Sequence, residues 1–272
     1  MLNHQTIEGL YALKLPAMAA ALAEQAESAS HQALSFEERL GLLVDRELTE
    51  RENRRLQRYL KAAKLRSVAV VEDIDFRRQR NLDRPLILSL AEASWVTNHQ
   101  DVAIVGPTGV GKTFLACALA NAAIRHGHTV LYLRASRMLE TLAIARVDGR
   151  LARLMAQWAR VDVVLIDDFL LRPLTPDQAA DTLEVIEDRA GLRSTIITSQ
   201  LPIPMWHEAM GEPTIADAVL DRVLHRLHRI ELTGESLRRT DKTTTTGETQ
   251  PRPRNRKRPG TSTDDRSDTD GR

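Results

Sequence analysis

The sequence predicts an α/β fold: a parallel sheet flanked by helices, preceded by a small all-helical amino-terminal domain. Three observations support this. From Leu10 to about Leu65 the chain is rich in Ala, Leu, Glu, Arg and Gln, which favour helices. Farther along, short apolar runs alternate with helix-compatible stretches, as in parallel sheets buried on both faces. A glycine-rich loop follows the first apolar run and precedes a helix-like stretch.

The chain divides into three predicted regions by composition: a helical domain over residues 1–77, an α/β domain over 78–239 and a polar tail over 240–272. In the first region, Ser35 followed by Glu37 and Glu38 is typical of a helix start. The helix that begins there can continue to Leu65. In the tail the hydrophobic residues stop, so we expect it to be disordered.

The four apolar runs of the second region are predicted to be strands: Val102–Val105, Val130–Leu133, Val161–Ile166 and Ser194–Thr198. Nearer the carboxyl end, apolar residues recur at helical spacing from Leu220 to Leu227. This spacing predicts one basic amphipathic helix that reaches Ile230.

Composition narrows the class of protein. The 38 Lys and Arg residues balance 37 Asp and Glu residues, so the total charge does not itself indicate a nucleic-acid partner. The single cysteine, Cys117, excludes an intrachain disulfide and a cysteine-based zinc cluster. No apolar run approaches the roughly 20 residues that a membrane span needs. We therefore expect a soluble cytoplasmic protein with no membrane partner.

The glycine-rich loop, Gly106–Thr113, matches the phosphate-binding pattern G-x-x-x-x-G-K-[ST]. Its glycines let the backbone turn tightly and direct N–H groups at phosphate oxygens, and the following helix adds a positive dipole end. Lys112 is expected to reach the β- and γ-phosphates, and Thr113 to bind Mg²⁺. A chance match in a glycine-rich turn is the alternative, which the strand–loop–helix setting disfavours. The predicted cofactors are ATP and Mg²⁺, and the predicted nucleotide contacts in this loop are Gly106, Pro107, Thr108, Gly109, Val110, Gly111, Lys112, Thr113 and Phe114.

Two carboxylates follow a predicted central strand, at the edge where open α/β sheets bind ligands. Asp167 is the candidate ligand for Mg²⁺, and Asp168 the candidate for orienting and polarising the attacking water. For each, capping of the next helix is the alternative. Gln200, after the fourth strand, has the reach to hold that water, but a simple strand-ending turn before Pro202 explains it equally well.

Three arginines, Arg222, Arg226 and Arg229, lie off the apolar face of the predicted helix that reaches Ile230. Such a helix is usually just solvated. A guanidinium offered to the nucleotide of a neighbouring subunit would, however, explain ATP-dependent oligomers.

A basic stretch from Arg51 to Arg66 carries seven basic residues and one acid, a net charge of +6. At helical spacing the arginines form a stripe, with Leu56, Leu60 and Ala63 roughly opposite. Such a stripe can follow DNA phosphates without reading bases, although a solvated helix face is the alternative. The candidate DNA contacts are Arg51, Arg54, Arg55, Arg58 and Lys61.

With these elements in order, the chain resembles the IstB-type transposition helper ATPases of bacterial insertion sequences. That family is close to the DnaC-type helicase loaders within the AAA+ class. The resemblance covers nearly everything before the tail. The segments that carry it are Leu15–Ala19, Ser35–Leu43, Arg51–Arg55, Glu72–Phe76, Gly106–Thr113, Leu165–Phe169, Ile197–Gln200, Trp206–Glu208 and Gly234–Arg238.

The resemblance implies an AAA+ ATPase whose hydrolysis is stimulated by DNA, and an oligomer joined through ATP interfaces. It also implies binding and remodelling of double-stranded target DNA and recruitment of the cognate transposase. Arg222 resembles the arginine finger and Arg238 resembles sensor 2, while Gln200 falls near sensor 1. Leu170 stands where the family often has glycine. A DnaC-like helicase loader and a nucleotide-gated DNA scaffold with negligible turnover are the alternatives.

Overall fold

The structure is a computed structural model, and it describes residues 2–28, 31 and 33–237. The predicted tail over 240–272 and the candidate Arg238 lie outside the described residues. The described residues belong to one compact unit, and the boundaries expected at residues 77 and 239 stay predictions.

The described part of the amino-terminal region contains the helices α1 (Leu2–Ala12), α2 (Pro16–Glu27) and α3 (Phe36–Ala63). The start of α3 is a reciprocal cap, in which the Glu38 N–H donates to Ser35 Oγ (3.2 Å) and the Ser35 N–H donates to Glu38 Oε2 (2.8 Å). This confirms the predicted helix start. Lys64, directly after the helix, has a left-handed φ of 52° and ends it. Leu56 and Leu60, which were predicted to lie opposite the basic stripe, pack against the core.

The rest of the described chain contains eight further α-helices, five strands and two short 3₁₀ turns. The helices are α4 (Arg84–Ala91), α5 (Ser94–Thr97), α6 (Lys112–Arg125), α7 (Ala135–Val147), α8 (Leu151–Ala159), α9 (Pro176–Glu187), α10 (Trp206–Met210) and α11 (Pro213–Leu224). The strands are β1 (Asp101–Val105), β2 (Val130–Arg134), β3 (Val163–Phe169), β4 (Ser194–Ser199) and β5 (Leu227–Glu231), and the 3₁₀ turns cover Val71–Asp73 and Ile203–Met205.

All five strands are parallel and follow the order β2-β3-β4-β1-β5. The β1 strand lies between β4 and β5, with Val102 opposite Ile196 on one side and His228 on the other. Helices cover both faces and form two apolar clusters, one around α6 and the other around α7, α9 and α11. The predicted α/β class and the four predicted strands are confirmed. The carboxyl ends of β1, β3 and β4 meet at one edge, which positions the candidate site.

The predicted helix to Ile230 is wrong beyond Leu224. The chain there forms β5, in which Ile230 is buried while its neighbours Arg229 and Glu231 are exposed. That alternation has the period of a strand, and pairing with β1 covers an edge that would otherwise expose its backbone. Leu224, which the helical spacing places on the packed face, is 42% exposed. None of the described helices combines the length and apolar character needed to cross a membrane.

Candidate nucleotide-binding site

The glycine-rich loop connects β1 to α6 and closes around a lysine. Lys112 is the first residue of α6 and is buried, and its Nζ donates to the carbonyls of Gly106 (2.7 Å) and Pro107 (2.8 Å). The amine therefore lies inside the loop, beside the positive end of a helix of 14 residues. A lysine, a glycine-rich backbone and a helix amino terminus together suit a chain of phosphates.

The carboxyl-terminal segment, Leu232–Leu237, lies directly on this loop. The Leu237 N–H donates to the Gly109 carbonyl (3.0 Å), and a Cβ at Gly109 would lie 2.1 Å from Ser236 Oγ. A Cβ at Gly106 would lie 2.2 Å from the Leu232 carbonyl oxygen. These approaches explain why glycine is needed at both loop positions. They also place the segment that leads to Arg238 beside the loop, although Arg238 itself lies outside the described residues.

Asp167, at the end of β3, is fully buried and accepts several hydrogen bonds. Thr113 Oγ1 (2.8 Å) and Thr198 Oγ1 (2.6 Å) donate to its Oδ1, and the Tyr132 hydroxyl (2.7 Å) donates to its Oδ2. The structure thus brings together Thr113 and Asp167, the two predicted metal ligands. Burial, followed by the Asp167 contact, raises the pKa of Tyr132, so the phenol stays protonated and able to donate.

Hydroxyl and carboxylate oxygens are the donors that Mg²⁺ prefers, so Thr113 and Asp167 fit that ion. Across the described ranges, no group of three or more His, Cys, Asp or Glu side chains could hold a metal. A magnesium ion here would therefore depend on these two residues and on nucleotide phosphate oxygens, as is usual for Mg²⁺ with ATP.

Asp168 adopts a left-handed backbone conformation, with a φ of 60°, where the register of β3 shifts between Ile166 and Phe169. Bulges of this kind re-aim side chains next to active sites. The Asp168 Oδ2 lies 3.2 Å from Arg134 Nε, and its backbone N–H donates to Thr198 Oγ1 (3.0 Å). Leu170 is also left-handed, with a φ of 53°. Its backbone therefore has a conformation that glycine adopts easily, and glycine is often found at this position in the family that the sequence resembles.

Arg66 reaches the same carboxylates from the segment after α3. Its Nη1 lies 3.4 Å from Asp167 Oδ2 and 3.7 Å from Asp168 Oδ2. The Tyr132 oxygen and then Asp167 raise the pKa of Arg66. Two guanidinium groups, those of Arg66 and Arg134, therefore face two carboxylates.

Four residues of this site were missed by sequence reasoning: Arg66, Tyr132, Arg134 and Thr198. The sequence offered a clue to Thr198, because this residue stands in the polar stretch that ends the fourth strand, two positions before Gln200. Tyr132 and Arg134 lie at the end of β2, which pairs with β3 in parallel, so their closeness follows once the strand order is known. Nothing in the local sequence indicates that Arg66 is in the site.

Gln200 contacts the phosphate loop: its Oε1 accepts from Thr108 Oγ1 (2.7 Å). The structure therefore places it near the loop, and its proposed part in holding water stays a prediction.

Arg222 lies far from its own phosphate loop. It is near the end of α11, where its Nη2 bonds Glu187 Oε1 (2.7 Å) and its Nη1 donates to the Ala218 carbonyl (2.9 Å). It lines a cavity of about 290 Å³ together with Asp101. Asp101 starts β1, whereas the phosphate loop follows the end of β1. Arg222 is therefore at the opposite edge of the sheet from Lys112.

The basic stripe on α3 is divided by ion pairs. Arg51 Nε donates to Glu47 Oε1 (2.8 Å) and its Nη2 donates to the Lys14 carbonyl (3.0 Å), which ties α3 to the turn between α1 and α2. Arg54 lies 3.5 Å from Glu50 and 3.8 Å from Glu47. The other three candidates are exposed, and within the described part of the chain none of them pairs with a carboxylate: Arg55, Arg58 and Lys61.

Comparison with known proteins gives a family match. A sequence profile described as IstB-like ATP binding protein matches residues 9–245. Several relatives are named as ATP-binding proteins of insertion sequences. Protein y4pL of Sinorhizobium fredii is 48% identical over 242 residues, which is 89% of this chain and 99% of the relative. The IS21 protein of Pseudomonas aeruginosa is 33% identical over 216 residues, covering 79% of this chain and 82% of the relative.

Solved structures share the fold. DnaI superposes with a TM-score of 0.52 at 20% identity, covering 61% of this chain and 92% of DnaI. AMPPCP-bound DnaA from Aquifex aeolicus gives a TM-score of 0.52 at 19% identity, covering 66% of this chain and 55% of DnaA. At these identities the likeness concerns the fold alone.

Proposed function

The chain belongs to the family of IstB-like ATP-binding proteins, and from that membership we propose that it is the ATP-hydrolysing helper of an insertion-sequence transposase. In this proposal ATP joins copies of the chain on double-stranded target DNA. The assembly remodels the DNA and recruits the cognate transposase, and hydrolysis to ADP and phosphate resets it. Relatives that are named for insertion sequences support the partner.

The observation that carries the ATPase proposal is the meeting of Lys112, Thr113, Asp167 and Asp168 at one edge of the sheet. The loop N–H groups and Lys112 bind the β- and γ-phosphates, and Thr113 with Asp167 holds Mg²⁺. The bound ion would offset the negative charge that develops between the β- and γ-phosphates. Asp168, 18% exposed, orients and polarises the water that attacks the γ-phosphate.

Arg222 is proposed to act on the nucleotide of an adjacent subunit. Its position at the opposite edge of the sheet from Lys112 keeps it from the phosphates of its own chain. Its side chain is 30% exposed, so a neighbour can reach it. A guanidinium brought to a γ-phosphate from another subunit would make turnover depend on assembly.

Two substitutions test the ATPase proposal. Lys112→Ala should abolish binding of a fluorescent ATP analogue, because the phosphates lose their lysine. Asp168→Asn should bind the analogue normally but release phosphate far more slowly, because the amide is a weaker proton acceptor. Normal phosphate release by Asp168→Asn would remove Asp168 from the mechanism. Nucleotide binding by the unaltered chain without phosphate release, with or without DNA, would favour the nucleotide-gated scaffold.

The DNA proposal rests on the exposed part of the α3 stripe. Replacing Arg55, Arg58 and Lys61 together by Gln should weaken duplex binding. If each contacts one phosphate, the slope of log K against log salt should become shallower by about 2.7, at about 0.9 per contact. The control removes three exposed arginines on and beside α8, of which Arg150 pairs with Asp148: Arg150, Arg153 and Arg160. An unchanged slope in the α3 variant, or an equal change in the control, would refute this placement.

Pull-down with the transposase from the same insertion sequence tests the partner. We expect co-purification that depends on ATP and duplex. Binding to a replicative helicase instead of the transposase would favour the helicase-loader alternative.

A further inference from the structure

We propose that Arg66 is a displaceable internal cation of the ATP site, which balances Asp167 and Asp168 before metal binds and gives way when Mg²⁺ enters with nucleotide. Arg66 is thus a positioning residue that links the metal site to the end of α3. The inference rests on the proposed ATP and Mg²⁺ site and deepens it.

The contacts at Asp167 explain why Arg66 stands in the way of a metal. The Oδ1 atom already accepts from Thr113 and Thr198, at 2.8 and 2.6 Å. The Oδ2 atom accepts from Tyr132 and lies 3.4 Å from the Arg66 guanidinium. An ion that approaches Asp167 beside Thr113 therefore enters a space next to a positive charge.

The charges make displacement favourable. Asp167 and Asp168 carry two negative charges, and Arg66 and Arg134 offset them. A divalent cation beside Asp167 would lie next to the Arg66 guanidinium, and the two positive charges would repel each other at short range. Arg66 contacts both carboxylates, whereas Arg134 contacts Asp168. Arg66 is therefore the arginine that competes directly at Asp167.

Arg66 has room to move. Its side chain is 44% exposed and lies in a short stretch without regular secondary structure. That stretch is fixed at each end by a buried alanine, Ala63 at the end of α3 and Ala69, whose carbonyl accepts from Asn121 Nδ2 (3.0 Å). Between them Val68 is 96% exposed. Inside the stretch Leu65 packs against the core, and the backbone of Arg66 and Ser67 bonds the Cys117 thiol. A backbone shift at Arg66 would therefore break these contacts within Lys64–Val68, directly after the α3 face that carries Lys61.

The test titrates Mg²⁺ into full-length protein with a fluorescent ATP analogue and measures the Mg²⁺ concentration at half-maximal binding. Arg66→Gln removes the competitor and should lower this midpoint by about two- to fivefold, the range expected for a half-exposed ion pair. Arg66→Lys keeps the charge and should stay near the unaltered value. Two controls each remove one positive charge nearby, Arg134→Gln beside Asp168 and Lys64→Gln at the end of α3.

The controls separate competition from general electrostatics. Arg134→Gln and Lys64→Gln should shift the midpoint less than Arg66→Gln. An equal shift in Arg134→Gln, or no shift in Arg66→Gln, would overturn the inference.

A second measurement needs no variant. Hydrogen exchange of the unaltered protein at residues 64–68 should rise when Mg²⁺ and a non-hydrolysable ATP analogue are added together, and not with either alone. Unchanged exchange would also overturn the inference. If the unaltered protein binds no nucleotide at any Mg²⁺ concentration, the proposed ATP site itself fails. If the unaltered protein binds nucleotide but neither the Arg66→Gln midpoint nor the exchange at residues 64–68 changes as expected, only the role of Arg66 is refuted.

Discussion

Replacing Gly109 by alanine tests whether the carboxyl-terminal segment rests on the phosphate loop. Gly109 has a φ of +88°, and an added Cβ would lie 2.1 Å from Ser236 Oγ, 2.7 Å from Ser236 Cβ and 3.1 Å from its Cα. Three atoms of one residue, backbone included, are too close, so a side-chain rotation cannot relieve the clash. The segment has to lift off the loop, and the Leu237 to Gly109 hydrogen bond breaks with it.

The loss of stability can be estimated from two contributions, the strained backbone at position 109 and the broken hydrogen bond. A left-handed conformation costs an L-residue about 1–2 kcal/mol. The lost hydrogen bond contributes about 0.5–1.5 kcal/mol. The free energy of unfolding of Gly109→Ala should therefore fall by about 1.5–3.5 kcal/mol, as the sum of these terms.

Urea denaturation measures this loss, and Gly149 provides the control. Gly149 has a φ of +68°, but nothing lies within 4 Å of an added Cβ, so Gly149→Ala should show only the backbone term. Ser236→Gly combined with Gly109→Ala removes the two nearest atoms and should recover part of the loss in a double-mutant cycle. Equal losses at Gly109 and Gly149, together with no coupling to Ser236, would refute the placement of the segment on the loop.

Three further predictions concern the opposite edge of the sheet. Burial raises the pKa of Asp101 to about 7, so the folded state favours the protonated acid. The contribution of this acid to the free energy of unfolding is complete below pH about 4 and is lost as the pH rises towards 7. Asp101→Asn keeps an oxygen that accepts from the Thr195 N–H (2.6 Å). In urea denaturation between pH 5 and pH 8, the free energy of unfolding of the unaltered protein should fall by about 2–3 kcal/mol more than that of the variant. An equal fall in both proteins would contradict this. Arg189, 1% exposed, donates to several carbonyls, and Arg189→Met should lower the free energy of unfolding by about 3–5 kcal/mol because those carbonyls lose their donor; a loss below about 1 kcal/mol would count against it. Glu187→Gln removes the partner of Arg222 and should lower the protein concentration for half-maximal ATP turnover per subunit by about two- to fivefold; an unchanged or higher concentration would argue that Arg222 does not act between subunits.

The sequence predicted the elements whose signal is local. Gly106–Thr113 is a fixed pattern, and the first four strands are continuous apolar runs. The fifth strand was missed because Leu227 and Ile230 suit a helical spacing as well as a strand, and only the free edge of β1 decides between them.

The site was predicted where one motif supplies the residue, and missed where the fold brings distant residues together. Asp167 follows its own strand, so its place is local. Arg66 lies 101 positions away from it, and its arrival depends on how α3 packs on the sheet. The ion pair of Arg51 was predictable from the sequence, because Glu47 precedes Arg51 by four positions, a spacing that favours pairing in a helix. The count of charges from Arg51 onwards left that glutamate out.

Strand β5 has a mechanical consequence for an assembled protein. It follows the helix that holds Arg222, runs beside β1 and continues as the segment that covers Gly109, with the Leu232 N–H bonded to the Val105 carbonyl (2.8 Å). In the assembly proposed above, this stretch of backbone would connect the end of α11, where Arg222 lies, with the segment that covers the phosphate loop. Ile230 and Leu232 of this stretch are buried in the core, so in such an assembly a displacement at Arg222 would be transmitted along β5 to the phosphate loop, and neighbouring nucleotide sites would be coupled.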